Sequence, residues 1–309
     1  MIKVAALTSS SPKIGMGHVA RTTQVLSTLD KGNFEFILYG QLESIPHWIN
    51  KLRYRPINFK KIDFEYLNKY DLIIFDSYEN REILNKINTK KLLIDDINHL
   101  GDSNADIVLD YNYGSKKELY PSNKKLLIGH NYFPISKNTY PEFLNKDKVK
   151  NYNVNGKILL SFGGVSDKEL INIGEQINFY SNFGEIILMD PMDKLGEYSQ
   201  KVSSLIKKAP LSEVLSTEEI KFCKLAGGTS KYLALSYGIP LVYVYRNKIE
   251  KTLIDNLYQD NLVIKENELL ELNVNEKLNS ALINMNKKYK KIFKSKAVDL
   301  INNDLLELF

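Results

Sequence analysis

The chain has 309 residues, and at about 150 residues per domain this length predicts two domains. Its 43% hydrophobic and 26% charged residues are an ordinary balance, which excludes a wholly disordered or fibrous chain. The 42 Lys and Arg residues exceed the 37 Asp and Glu residues by only five charges, too few and too dispersed to indicate nucleic-acid binding.

A single cysteine, Cys223, excludes an intramolecular disulfide framework and a cysteine-rich zinc site. Its apolar neighbours predict a buried small side chain rather than a reactive thiol. The sequence contains no apolar run of roughly 18 residues, so we expect no membrane-spanning segment. The N-terminal apolar stretch is too short for a signal peptide, and we expect a cytoplasmic, monomeric protein.

Short apolar runs alternate with helical patterns along the chain. Several runs are continuously hydrophobic, which is typical of parallel strands that are covered on both faces. The predicted strands cover residues 2–8, 34–39, 71–76, 91–95, 106–109, 126–128, 157–162, 185–189, 222–226 and 241–245. The predicted helices cover residues 19–29, 168–179 and 230–237, and a further helical pattern covers 278–309. This order indicates a doubly wound α/β fold.

A polar segment at residues 138–155 separates two strand-rich halves and has the composition of a linker. We therefore place the domain boundary between residues 145 and 146, with the last helix able to pack back on the first domain. Each half opens with a strand, a glycine-bearing turn and a helix. The predicted architecture is two Rossmann-like domains facing a cleft that holds the site.

The strongest local motif follows the first predicted strand, where Gly15 and Gly17 precede His18 and Arg21. Glycines allow close approach of the backbone to a ligand, and the helix that begins here presents free N–H groups to anions. A helix N-terminus also favours a neutral imidazole, so His18 can act as a base. The spacing does not fit the dinucleotide pattern G-x-G-x-x-G. The alternative is a helix-capping turn with an incidental histidine.

Two further glycine turns lie at strand ends in the second half. Gly163 and Gly164 either cradle a phosphate or form a plain strand-to-helix turn. The other turn opens a predicted helix with backbone and hydroxyl donors that suit a diphosphate: Gly227, Gly228, Thr229 and Ser230.

Acidic residues follow two apolar strands, at the sheet edge where α/β sites gather. They are Asp76 and the adjacent pair Asp95 and Asp96. Adjacent residues that leave a strand point to different sides, so we predict that one of the pair is a cap and the other a site residue. The sequence offers no third ligand at a recognisable spacing, so we predict no metal.

The remaining histidines, His47, His99 and His130, form no H-x-x-x-H pair. We interpret each as a surface or packing residue. His130 keeps an alternative, because it lies beside Tyr132 in a strand-end loop.

The motifs fall in one order over residues 1–260: 15–21, 76–78, 94–96, 105–112, 129–132, 161–164 with Asp167, 226–229, 238–240 and Asn247. In this order they resemble the nucleotide-sugar hydrolases of pseudaminic acid biosynthesis, which remove UDP from a 2,4-diacetamido-2,4,6-trideoxy-altrose donor. That family is similar in turn to the glycosyltransferases that transfer N-acetylglucosamine to lipid II.

The resemblance implies a glycosyltransferase-B fold, with the sugar bound by the first domain and UDP chiefly by the second, and no cofactor. It implies that His18 activates the water that attacks C1 of the sugar, and that Tyr78 and Asn247 contact the sugar. The predicted substrate- and nucleotide-binding residues are Gly15, Gly17, Arg21, Asp96, Tyr132, Gly163, Gly164, Gly227, Gly228, Thr229 and Ser230.

The sequence departs from the family's pattern on the nucleotide side. Leu233 stands where a glutamate usually holds the ribose hydroxyls, and Lys248 replaces the glutamine that usually follows Asn247. Two alternatives therefore stay open. One is a glycosyltransferase in which His18 deprotonates an acceptor hydroxyl, and the other is a non-catalytic nucleotide-sugar binding protein.

Overall fold

Both ends of the chain belong to the first of two units in the computed structural model. This unit comprises residues 1–138 and 295–309, and the second unit comprises residues 139–294. The structure describes residues 1–10, 17–42, 53–135, 140–145, 149–162, 173–190, 206–225, 228–245, 248–293 and 296–309.

The first unit contains a sheet of seven parallel strands. They are β1 (Ile2–Ser9), β2 (Phe34–Gln41), β3 (Tyr54–Pro56), β4 (Leu72–Asp76), β5 (Lys90–Ile94), β6 (Ile107–Asp110) and β7 (Lys125–Ile128). Their order is β3-β2-β1-β4-β5-β6-β7, so the direction of winding reverses between β1 and β4. All five residues of β4 are buried, which explains its continuous hydrophobic run.

The second unit repeats this topology with six parallel strands. They are β8 (Lys157–Ser161), β9 (Ile186–Met189), β10 (Ile206–Lys207), β11 (Ile220–Leu225), β12 (Leu241–Tyr243) and β13 (Val263–Lys265). Their order is β10-β9-β8-β11-β12-β13, and the winding reverses between β8 and β11. Ligands of open α/β sheets bind at such reversal points, beyond the carboxyl ends of the strands.

Helices and loops connect the strands of each sheet. The α-helices are α1 (Gly17–Thr28), α2 (Phe64–Leu67), α3 (Ile173–Ser181), α4 (Leu211–Thr217), α5 (Ser230–Ser236), α6 (Lys248–Gln259), α7 (Val274–Asn284), α8 (Lys290–Ile292) and α9 (Ala297–Leu306). A π-helical turn, Met285–Tyr289, joins α7 to α8. Within the described ranges, each helix is too short or too polar to cross a membrane.

The ten predicted strands are confirmed, with their ends shifted by two residues at most. The sequence does not predict β3, β10 or β13, and all three lie at an edge of a sheet. An edge strand has one neighbour and a partly solvated surface, so it does not need the continuous apolar run that marks a central strand.

Successive side chains along the strands of the first sheet point to opposite faces of that sheet. Leu7, Phe75 and Leu93 belong to an apolar cluster that also contains Ile83 of the 3-10 helix Arg81–Lys86. The residues between them point to the opposite face, on which α1 packs. The polar ends of β1 and β4 on that face therefore meet the first turns of α1.

The C-terminal helix α9 closes the first unit. Its Asn302 donates from Nδ2 to the Thr28 carbonyl oxygen (2.8 Å) and accepts at Oδ1 from the Asp30 backbone N–H (2.9 Å). Ile301 and Leu305 on the same helix are fully buried. These contacts tie the last residues of the chain to the end of α1.

In the second unit, part of the polar segment that the sequence shows at residues 138–155 is buried. Phe143 and Leu144 are buried in the 3-10 helix Glu142–Leu144. The Phe143 ring lies against Gly238, where a Cβ would overlap it, and Gly238 has a φ of +67°. Glycine is therefore required at the end of α5 both by its conformation and by this contact.

Candidate active site

The reversal point of the first sheet gathers a buried polar network. His18 and Arg21 come from the first turns of α1, Asp76 ends β4, and Asp96 follows β5. The register that pairs Thr8 with Asp76 places the end of β4 directly beside the end of β1. The sequence predicts that this edge carries the site, and the structure brings these four side chains into contact.

The His18 imidazole is held by a carboxylate. Its Nδ1 lies 2.6 Å from Oδ1 of Asp76, and both residues are buried. Burial favours the neutral acid, but Arg21 and His18 outweigh it and lower the pKa of Asp76, so its oxygens only accept hydrogen bonds. We therefore assign the proton of a neutral His18 to Nδ1, which leaves the lone pair on Nε2.

Nε2 of His18 makes no hydrogen bond with the residues that the structure describes, and it is not enclosed. A neutral imidazole with a fixed Nδ1–H and an open Nε2 is the arrangement of a general base.

Arg21 joins the two aspartates. Its Nε and Nη2 donate to the two oxygens of Asp76 at 2.8 and 2.5 Å, and its Nη1 donates to Oδ2 of Asp96 at 2.7 Å. Burial opposes its charge, but the two carboxylates outweigh that effect and raise the pKa of Arg21 well above its ordinary value. Its contacts make Arg21 an organiser of the network, whereas its predicted role as a substrate ligand stays a prediction.

Asp96 connects this network to Tyr78. The Tyr78 hydroxyl donates to Oδ2 of Asp96 at 2.6 Å, and Nδ2 of Asn112 donates to Oδ1 at 2.8 Å. Burial, followed by the charge of Asp96, raises the pKa of Tyr78, so the phenol keeps its proton. The Tyr78 ring is 36% exposed and packs edge-on against His18, with ring centroids 4.3 Å apart.

Asp95 and Asp96 point to different sides of the sheet, as alternation requires. Asp95 lies 3.5 Å from Nη2 of Arg81, while its neighbour joins Arg21. Strand alternation predicts such a separation, and the family resemblance gives Asp96 as the member of the pair that belongs to the site. Asp76 and Asn112 were outside the predicted site residues, although both lie in the motifs that carry the family resemblance.

Tyr132 makes its described contact elsewhere. Its hydroxyl donates to Oδ2 of Asp304 on α9 at 2.8 Å, so it helps to fix the C-terminal helix. His130, its neighbour, is buried, with Nδ1 2.6 Å from the Tyr111 carbonyl oxygen. The structure does not bring Tyr132 into the network around His18, and its predicted substrate contact stays a prediction.

The predicted nucleotide side is described only in part. Gly228 is exposed, Thr229 precedes α5, and Ser230 begins it, at the reversal point of the second sheet. Leu233 lies half-buried on α5. Gly15, Gly163, Gly164, Gly227 and Asn247 lie outside the described residues.

Possible metal ligands are dispersed. Among the described residues, no three His, Cys, Asp or Glu side chains converge in a group that could hold a metal ion. Cys223 is buried, and burial raises the pKa of its thiol, so this side chain acts as a small core residue.

Comparison with curated proteins finds a distant relative. An uncharacterized protein of Methanocaldococcus jannaschii is 26% identical to this chain over 82% of its length, and the chain spans 58% of that protein. No protein-family model matches the chain.

Solved structures match the whole chain at low identity. UGT2 of Phytolacca americana, solved with UDP-2-fluoro-glucose and pterostilbene, has a TM-score of 0.64 and 12% identity, covering 100% of this chain and 99% of its own. Acinetobacter baumannii MurG has a TM-score of 0.57 and 12% identity, covering 99% and 100%. The Streptomyces sp. SF2575 glycosyltransferase SsfS6, solved with thymidine diphosphate, has a TM-score of 0.58 and 10% identity, covering 100% of both chains. The protein therefore has the predicted glycosyltransferase-B fold, built from two doubly wound parallel sheets.

Proposed function

We propose that the protein is a hydrolase that releases UDP from a UDP-linked 2,4-diacetamido-2,4,6-trideoxyhexose, in pseudaminic acid biosynthesis. The observation that carries the proposal is the state of His18, whose Nδ1 is held by Asp76 while Nε2 is open at the carboxyl edge of the sheet. The ordered motifs that resemble the hydrolase family support the choice of substrate class.

In the proposed reaction, Nε2 of His18 removes a proton from water as the water oxygen attacks C1 of the sugar. The new C1–O bond replaces the bond from C1 to the diphosphate oxygen, and the electron pair of the broken bond leaves with UDP. The imidazolium that forms stays hydrogen-bonded to Asp76. Because Arg21 carries one positive charge against the two negative charges of Asp76 and Asp96, the network compensates the charge of the imidazolium.

We assign the diphosphate to the turn that opens α5, where Gly228 and Thr229 precede the helix and Ser230 begins it. Gly163, Gly164 and Gly227, which lie outside the described residues, belong to the same assignment. Asn247, which also lies outside them, is assigned to the sugar. The Leu233 side chain cannot hydrogen-bond to a ribose hydroxyl, so binding of UDP should be compared with binding of thymidine diphosphate.

Release of UDP from the UDP-linked sugar, with no acceptor added, tests the proposal. We expect turnover by the wild type and a loss of kcat of about 10²–10⁴-fold in His18→Ala, because the variant lacks the base. The Kd for UDP should stay within a few-fold, since the imidazole acts in the transition state. Unchanged kcat in His18→Ala would contradict the assignment.

Two matched aspartate variants sharpen this test. Asp76→Asn should lower kcat by about 10³–10⁴-fold, since an amide that donates to Nδ1 favours the wrong imidazole tautomer. Asp95→Asn makes the same substitution at the same edge of the sheet but on the opposite face, and should retain kcat. Equal losses in both variants would indicate general damage to the fold.

Glycosyl transfer is the second candidate, because a glycosyltransferase is among the solved structures that share the fold. Nε2 of His18 would then deprotonate an acceptor hydroxyl instead of water. Release of UDP only after an acceptor is added would replace the hydrolase proposal with this one. Binding of the nucleotide sugar without release under either condition would indicate a binding protein.

A further inference from the structure

A second imidazole, His99, also contacts the Tyr78 ring. The ring centroids of Tyr78 and His99 are 4.8 Å apart with an interplanar angle of 84°, close to the geometry between Tyr78 and His18. The two imidazoles are therefore no further apart than the sum of the two centroid distances, which is comparable with the span of a substituted pyranose ring. Sequence reasoning treats His99 as a surface or packing residue, and the proposed reaction does not use it.

The tautomer of a neutral His99 is fixed in the same way as that of a neutral His18. Its Nδ1 lies 2.9 Å from the backbone carbonyl oxygen of Asp96, which can only accept a hydrogen bond. The lone pair of a neutral His99 is then on Nε2. This atom makes no hydrogen bond within the described part of the chain and is not enclosed.

The backbone that presents His99 has an unusual conformation held by several bonds. Ile97 and Asn98 have φ values of 50° and 54°, in the left-handed region that a β-branched residue rarely adopts. The Ile97 N–H donates to Oδ2 of Asp110 (3.0 Å), and the Asn98 N–H donates to the Tyr120 hydroxyl (3.0 Å). Such strain persists only where its surroundings fix it, and it is concentrated at functional sites.

The atoms around Tyr78 form a set of hydrogen-bond acceptors. Nε2 of His18 and Nε2 of His99 each offer a lone pair. The Tyr78 hydroxyl already donates its proton in the hydrogen bond to Asp96, so its oxygen can only accept a further hydrogen bond. The nearby charged network carries one positive and two negative charges, which repels an anion. This combination suits a neutral group rich in O–H and N–H donors, which describes an acetamido sugar rather than a diphosphate.

We propose that His99 binds the sugar portion of the substrate, with Nε2 accepting a hydrogen bond from a hydroxyl or acetamido N–H group. The inference rests on the proposed function for the identity of the substrate. It adds a residue that determines affinity for the sugar and takes no part in the proton transfer at His18.

Calorimetry in a His18→Ala background tests the proposal, because binding can then be measured without turnover. The probes are the UDP-linked 2,4-diacetamido-2,4,6-trideoxyhexose and UDP alone. Adding His99→Phe, which keeps an aromatic edge beside Tyr78 but removes the acceptor, should raise the Kd for the UDP-sugar about tenfold, the effect of one lost hydrogen bond. The Kd for UDP should change less than twofold.

Two further variants separate binding from structural support. His99→Gln restores an acceptor and should return the Kd for the UDP-sugar to within about threefold of the parent. Leu100→Ala alters the next residue, which is 45% exposed, and should leave both Kd values unchanged. Three results would overturn the proposal. The first is an unchanged Kd for the UDP-sugar in His99→Phe, and the second is an equal rise in the Kd for UDP in that variant. The third is a Kd for the UDP-sugar in His99→Gln as high as that in His99→Phe.

The same variants with His18 intact keep the two proposals distinguishable. His99→Phe should raise KM for the UDP-sugar about tenfold with kcat within about twofold. If the wild type binds the UDP-sugar more tightly than UDP yet never releases UDP, the hydrolase proposal fails while the calorimetric result still decides the role of His99.

Discussion

Consecutive aspartates after β5 meet opposite electrostatic surroundings. Burial is the largest influence on Asp95 and raises its pKa, because Arg81 lies too far away to compensate fully. Burial acts on Asp96 as well, but Arg21 and hydrogen bonds from Tyr78 and Asn112 outweigh it and hold the pKa well below its usual range. The ionised carboxylate of Asp96 therefore stabilises the folded chain at neutral pH, and that of Asp95 does not.

This contrast predicts different pH dependences of stability. Since the folded pKa of Asp96 lies below the unfolded value of about 3.9, its contribution is complete above about pH 4 and is lost as the pH falls through the folded pKa. The folded pKa of Asp95 lies above the unfolded value, so its ionisation removes stability as the pH rises through that window.

Urea unfolding between pH 7 and pH 2.5 measures these contributions. Asp96→Asn should be strongly destabilised at pH 7 and approach the wild type in acid. Asp95→Asn should gain stability relative to the wild type as the pH rises above 4. Parallel pH profiles for the two variants would contradict the assigned surroundings.

The sequence anticipates the location of these side chains better than their partners. Strand ends can be read from apolar runs, so the placement of His18, Asp76 and Asp96 at one edge is predictable. The position of His99 is not, because it depends on left-handed backbone at Ile97 and Asn98 that no local pattern signals. The sequence likewise predicts that Arg21 binds substrate, because it does not reveal the two buried carboxylates that Arg21 contacts.

At the scale of elements, the junction between α5 and β12 depends on one close contact. Gly238 ends the helix in a left-handed conformation, and the Phe143 ring fills the space that a side chain there would need. The pattern Gly-Ile-Pro predicts the helix end, but it cannot reveal Phe143, which lies in a segment of polar composition. Contacts of this kind join residues that are distant in sequence and therefore leave no periodic signal.

Gly238→Ala should lower the free energy of unfolding by about 2–5 kcal/mol, since overpacking costs about 1–3 kcal/mol and left-handed alanine about 1–2 kcal/mol. In a Phe143→Ala background the added cost should fall to about 1–2 kcal/mol, because only the conformational part remains. Urea denaturation of the four proteins measures the coupling.

Gly174→Ala is the matched control for this cycle. Gly174 lies in α3, and a Cβ there would meet nothing within 4 Å. The substitution should be neutral or raise stability by up to about 1 kcal/mol, as expected for alanine in a helix. An equal cost of Gly238→Ala with and without Phe143 would refute the role given to the ring.

At the scale of the whole molecule, the same doubly wound order appears twice, and at each reversal point glycines follow a strand in the sequence. Repetition of strand, turn and helix makes this architecture predictable from one sequence. The division of the chain into units is less predictable, because helix α9 belongs to the first unit although the whole second unit separates it from that unit in sequence. The sequence allows the last helix to pack on the first domain but does not determine it, and hydrogen bonds such as Asn302 to Thr28 make that connection.

Deletion of residues 296–309 should therefore destabilise the first unit selectively. The deletion exposes the surface that Ile301 and Leu305 cover and removes both hydrogen bonds of Asn302. Hydrogen exchange should show faster exchange of amides in α1, while the amides of α7 in the second unit keep their protection. Uniform acceleration in both helices, or no change in α1, would contradict this division.

The split first unit also has a consequence during synthesis on the ribosome. The seven strands of the first unit are translated before the second unit, but α9 follows only after residues 139–294, which take about eight to thirty seconds at about 5–20 residues per second. The second unit is continuous in sequence and can complete itself within that interval. Until α9 has been translated, the surface at the end of α1 that α9 covers in the folded protein stays exposed on the nascent first unit.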